Sequence, residues 1–267
     1  MNQIANMLYV MLKSFQRDRI LYAFVGVALL MLILVPAFSL FSMRQVQELA
    51  ITLSLSAISF ILLLLSTLVG ASSVWRDVER RYTTSVLGLP ISRATYILGK
   101  FCGMALLILV IAILLGGVSL LVINIAAAQY PSDTPIHWLN IVLAIIFSSL
   151  KFILLAAVAL LFSAFSTSFF LPFFGTVAIY FAGSASQEVY EYVSGNLATA
   201  INPASRALIK GVYYLLPNLS AFDLKVHAIY GLQLSAAGLG ITLAYFLIYV
   251  FLLLSLTVWI FTRRELP

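Results

Sequence analysis

Between two long apolar runs, the stretch DVERRYTTSVLGLPISRATYILGK at 77–100 gathers Asp77, Glu79, Arg80, Arg81, Arg93 and Lys100. Acids interleaved with guanidinium groups make ion pairs and charge-assisted hydrogen bonds, which is the chemistry of docking and fastening. Catalysis needs other constellations, and the sequence has no H-E-x-x-H, no nucleophile elbow and no acid–histidine cluster at ligand spacing. The phosphate-binding G-x-x-x-x-G-K-[ST] loop is also missing. Gly99 and Lys100 supply its G-K, but Ala94 stands where the first glycine belongs and Phe101 where the hydroxyl residue belongs. No catalytic or cofactor-binding residue is therefore expected here, and any nucleotide energy must be bound by another polypeptide.

His137 and His227, the two histidines, lie far apart in sequence, and Cys102 is the single cysteine, so neither a metal site nor an internal disulfide is expected. Lys151 is the other residue whose type does not suit its neighbourhood. Counting from Trp138, a rise of 1.5 Å per residue sets it about 20 Å into a hydrocarbon layer about 30 Å thick. A lysine there is costly unless it reaches water or a partner. Two readings stay open: the side chain snorkels toward the cytoplasmic side, or it faces a dimer interface or polar path and meets an anionic headgroup or backbone carbonyls.

The elements that must carry these groups are membrane helices. The 267 residues are 63% hydrophobic and 9% charged, where a soluble domain carries roughly 25% charged residues. Uncharged runs at 20–43, 49–75, 101–132, 152–187 and 228–262, together with 138–150, supply six crossings of about 20 residues each. They read as spans at about 20–41, 49–74, 95–126, from 138 onward, 169–186, and most of 228–262. The chain turns between the fourth and fifth in SAFSTSFFLP at 163–172. Residues 1–16 place Ile4, Met7, Leu8, Met11, Leu12 and Phe15 on one helical face, an interfacial helix before the first span.

Charge sets the orientation. Ten Lys and Arg residues fall on one side, four on the other, and Lys151 within a span. The positive-inside rule therefore puts both termini and 77–92 in the cytoplasm, and the net charge of +6 needs no nucleic-acid partner. The region 187–227 is balanced in charge and reads as extracytoplasmic, with a short helix opened by Asn202 and Pro203 that stays at the membrane surface or dips into it. Trp75, Trp138 and Trp259 fall at predicted boundaries, as an aromatic belt requires. Gly103, Gly116, Gly117, Gly238 and Gly240 read as sites of close helix packing.

Within 77–100, a short helix from about Asp77 to Leu87 ends at Gly88 and Pro90, and Ser92 caps the third span. Such a helix suits a groove on a soluble partner; the plainer alternative is that any cytoplasmic hairpin is basic. The stretch ERRYTTSVLGLPISRATYILGKFCG resembles the segment after the second span in permeases of the ABC-2 class of ATP-binding-cassette transporters, particularly the NosY-like branch. There an acidic and arginine-bearing helix, a Pro-[IVL]-Ser-Arg turn and a Gly-Lys form the coupling helix that rests on the ATPase. Glu79, Arg81, Thr83, Leu87, Pro90, Ser92, Arg93, Gly99 and Lys100 fit that pattern, while Tyr82 and Thr84 depart from it. LLPNLSAFDLK at 215–225 and FTRREL at the end are similar to the segment before the last span and the basic ending of those permeases, and 1–16 corresponds to their elbow helix.

The resemblance implies an all-α integral membrane protein: one permease domain over 1–267, six transmembrane helices, an elbow helix and a cytoplasmic coupling helix. It implies ATPase-coupling residues Asp77, Glu79, Arg80, Arg81, Thr83, Leu87, Pro90, Ser92 and Arg93. It further implies separate cytoplasmic ABC ATPase subunits that hold ATP and Mg, a second permease copy in a homodimer or similar heterodimer, and a place in the inner membrane, with export the expected direction. The rivals are an ion-coupled secondary transporter, which would carry buried acids or broken helices at the midplane, and a membrane anchor without transport activity of its own.

Overall fold

The structure, a computed structural model, describes residues 13, 19–39, 45–79, 92–129, 135–194 and 202–264. Among these it contains helices and no strand. The helices are α1 (Arg19–Ser39), α2 (Val46–Glu79), α3 (Arg93–Gln129), α4 (Trp138–Phe165), α5 (Phe170–Ser194), α6 (Pro203–Leu215), α7 (Lys225–Tyr230) and α8 (Ala236–Arg263), with a 3₁₀ turn at Ser220–Phe222. Five of them, α1, α2, α3, α4 and α8, are long and apolar enough to cross a membrane. Helix α5 has 25 residues, but its second half carries Gln187, Glu188 and Glu191, so its apolar stretch is shorter. The interfacial helix read at 1–16 lies outside the described residues, apart from Lys13.

Helix α4 is the axis of the bundle. Every residue from 151 to 160 is buried, because α2, α3, α5, α7 and α8 all pack around it. It packs tightly on α2, where a methyl group at Gly70 would overlap the Ala159 methyl. Small residues let helix backbones come this near and collect dispersion contacts that apolar lipid cannot replace. Helix α2 has 34 residues and α3 has 37, while about 20 residues suffice to cross, so both carry the chain beyond the hydrocarbon layer.

The last span lies where most of 228–262 was expected to hold it, as α8 with Ser235 as its cap, while the start of that apolar run belongs to α7, which ends at Tyr230 before Gly231 takes φ 62°. The break is tertiary in origin. The Asn140 amide donates to the carbonyls of His227 and Leu232, both at 3.0 Å, and the His137 ring fills the space where a Gly231 side chain would stand. The glycines also divide differently from expectation. Gly116 does pack against Ile145, but Gly117 and Gly240 face open space and Gly238 meets only Ser235. Besides Gly231, the tight contacts belong to Gly70 and to Gly183, whose Cβ would lie 2.5 Å from the Pro217 carbonyl.

Candidate functional site

At the end of the bundle that leads into residues 80–91, four helix ends are fastened by polar side chains. The Asp77 carboxylate, in the last turn of α2, pairs with Lys100 of α3 at 2.5 Å and accepts from the Tyr96 hydroxyl at 2.7 Å. Lys100 also donates to the Ser73 carbonyl and is 7% exposed. Tyr96, fully enclosed, stacks on Phe261 of α8 at 5.5 Å. A buried cation must be paired and hydrogen-bonded to be tolerated, and Lys100 has a carboxylate and a carbonyl.

Arginines close the rest of this collar. Arg93 Nη1 donates to the carbonyls of Phe261, Thr262 and Arg264 at 3.2, 2.9 and 2.9 Å. Arg264 donates to the Ala164 and Ser166 carbonyls at 2.7 and 3.0 Å, and partial burial pulls its pKa below the ordinary arginine range. These are terminal carbonyls, which have no partner within their own helix. Helix α4 is joined back to α2 by Ser163, whose hydroxyl donates to the Ala71 carbonyl and accepts from the Val74 and Trp75 amides. The Trp75 indole donates to the Thr167 carbonyl at 3.2 Å.

The middle of the bundle holds charge differently. Lys151 is 7% exposed, and its ammonium sits 5.3 Å from the Tyr180 ring centroid and 5.9 Å from that of Phe152. Among the described residues it makes those ring contacts and no hydrogen bond or ion pair; the charges that act on it are Asp223 and Lys225. Asp223 follows a non-helical stretch that crosses the middle turns of α5 and α8. Leu219 N–H donates to the Gly183 carbonyl and Ser220 Oγ to the Ser184 carbonyl. Asn218 N–H donates to Tyr245, and the Tyr249 hydroxyl donates to the Leu215 carbonyl. Irregular backbone at such depth is tolerated where protein groups satisfy it.

Of the residues singled out from sequence, the structure describes Asp77, Glu79, Ser92, Arg93 and Lys151; Arg80, Arg81, Thr83, Leu87 and Pro90 lie outside the described residues. Asp77 and Glu79 continue α2 instead of opening a separate helix, and the Asp77 carboxylate turns inward to Lys100. Ser92 caps α3 as its position suggests, accepting from Thr95 N–H at 3.1 Å. Arg93 grips the end of α8. Lys151 is enclosed by protein rather than snorkelling. Sequence reasoning missed Arg264 and Ser163: the first reads as a topological charge and the second as one serine in a turn cluster. His137 and His227, far apart in sequence, both lie at the start of α4, where the His137 ring sits against Gly231 and Asn140 donates to the His227 carbonyl, and no group of three metal-ligating side chains forms among the described residues.

A multi-pass helical membrane protein whose polar groups concentrate at helix ends and in one mid-bundle patch is the class that this architecture defines. Residues 4–266 match the family described as ABC-2 family transporter protein, so the chain belongs to that family. No curated protein matches the chain.

Proposed function

We propose that this chain is the permease subunit of an ATP-binding-cassette exporter, of the NosY-like branch, and that separate ATPase subunits holding ATP and Mg drive it. Family membership supports the permease role. The absence of a phosphate loop from the sequence supports a separate motor. The observation that carries the reading is that both stems of residues 80–91 are anchored: Asp77 by Lys100 and Tyr96, Arg93 by the end of α8. A push on a segment rooted this way at both ends moves helices. Arg80 and Arg81, with Glu79, then meet the ATPase from the cytoplasmic side.

In this reading α5 is also a span, the fifth in chain order, and brings the total to six. It follows α4 after only four residues, and Phe170, Leu171, Phe174 and Phe181 present apolar surface that suits lipid or a second copy of the chain. Six spans return both termini to the cytoplasmic face of the inner membrane, and substrate passes between two permease copies.

The test is purification of the tagged full chain from its native membrane. A P-loop ATPase is expected to accompany it, and Arg80→Glu with Arg81→Glu is expected to cut recovery of that ATPase about tenfold, the scale of a lost charge-paired contact. Transport driven by an ion gradient in vesicles holding this chain alone would instead establish the ion-coupled alternative.

A further inference from the structure

The order of the capping contacts in the collar is directional. The first residue of α3, Arg93, caps the end of α8, and all three of its carbonyl acceptors lie there. The residue that follows α8, Arg264, caps the end of α4, with its acceptors at Ala164 and Ser166. Along the backbone, the start of α3 and the end of α4 are separated by the full length of both helices. Through the two guanidinium groups they are separated by one short turn of α8. The Arg264 carbonyl accepts from Arg93 while the Arg264 side chain donates onward, so one residue is both the last acceptor of the first cap and the donor of the second.

Planar guanidinium groups suit such a linkage. Arg264 spreads two nitrogens over two carbonyls, a fork that fixes direction as well as distance. Hydrogen bonds from a charged donor are stronger than neutral ones, and Arg93 and Arg264 are both partly shielded from solvent. The chain of contacts continues from α4 to α2 through Ser163 and Trp75, which returns it to the other stem of residues 80–91.

We infer that Arg93 and Arg264 are positioning residues that relay displacement at the start of α3 to the end of α8 and from there to the end of α4. The inference rests on the proposed role of residues 80–91 as the contact for the motor, but the relay itself is a property of this chain alone. Movement at the start of α3 then reaches the central helix at the same end of the bundle, without passing along α3 to the opposite end.

Hydrogen–deuterium exchange of the full chain in lipid nanodiscs, with no ATPase present, tests it. In Arg93→Met, exchange should rise about tenfold in the last turn of α8 and also in the last turn of α4, which Arg93 does not touch. The opposite end of α4, held by Asn140, should be unchanged. A rise confined to α8 would show a local cap and overturn the relay; a rise that includes the Asn140 end would show general loosening and overturn it equally. Should Arg93→Met give no folded chain, Arg264→Met serves: the last turn of α4 loses protection while that of α8, still held by Arg93, keeps it. Loss in both or in neither overturns the inference. Failure of the motor-contact reading would appear only in the ATPase co-purification and leave these exchange patterns as they are.

Discussion

At the end of the bundle that leads into residues 80–91, Lys100 has a carboxylate and a backbone carbonyl within bonding distance. Halfway along α4, the equally buried Lys151 has two aromatic faces. The first cation is bonded to a carboxylate oxygen that also accepts from Tyr96 and to a backbone carbonyl. The second has three donors and, among the described residues, meets two ring faces and no hydrogen-bond acceptor, with Asp223 and Lys225 acting on it beyond ion-pair distance. A fully satisfied polar cluster fixes its surroundings, because each group that moves leaves another unpaired. A cation in contact with ring faces and with no bonded counter-ion is restrained more loosely, since ring attraction is weaker and less directional than an ion pair. The contrast separates a fastening from a site that has bonding capacity to spare.

The largest effect should come from breaking the fastening on one side. Asp77→Asn leaves Lys100 buried without its counter-ion and is expected to cost about 3–5 kcal/mol, read as a lowered thermal midpoint in detergent micelles. Adding Lys100→Met should return most of that loss, because the uncompensated charge is gone. If the double variant is as unstable as the single, the pair is not the source of the effect.

A smaller loss is expected where the irregular segment leans on α5. Gly183→Val pushes a side chain into the Pro217 carbonyl and Leu219, and overpacking of this kind costs about 1–3 kcal/mol. Its signature should be local: exchange rises across 215–223 while the collar peptides stay protected. The smallest effect, and the only one of opposite sign, belongs to the mid-bundle cation. Lys151→Met should leave stability unchanged or raise it by up to about 1 kcal/mol, read as a steady or slightly higher melting midpoint, since an apolar side chain replaces a desolvated charge. A clear loss of stability would show that Lys151 is as tightly used as Lys100 and would erase the contrast between the two regions.

Much of the fold was legible because its determinant is local. Long uncharged runs must hydrogen-bond internally in a bilayer, and the turn between α4 and α5 was marked by its serines and proline. Ser92 announced its own cap. What stayed hidden depends on partners distant in sequence. Within the uncharged run 228–262 only Gly231 and Ser235 hint at the break between α7 and α8, and the contact that holds it, Asn140 donating to two carbonyls there, comes from a helix distant in sequence. Asp77 and Lys100 both stood out as charges, but their pairing requires α2 and α3 to lie side by side. Arg264 counted as one more basic residue near a terminus until α4 came within its reach. The glycines were misjudged for the same reason, since the space that each must leave open is set by the helix across from it.

The serine at position 163 is inserted into the ladder of α2, trading one bond outward and two inward with Ala71, Val74 and Trp75. Like a key in its slot, that hydroxyl denies the two helices any independent sliding or twisting, because a step of a single residue would strip all three bonds at once. Rearrangement of the bundle must therefore carry α2 and α4 as a single strut, with the remaining helices moving around it.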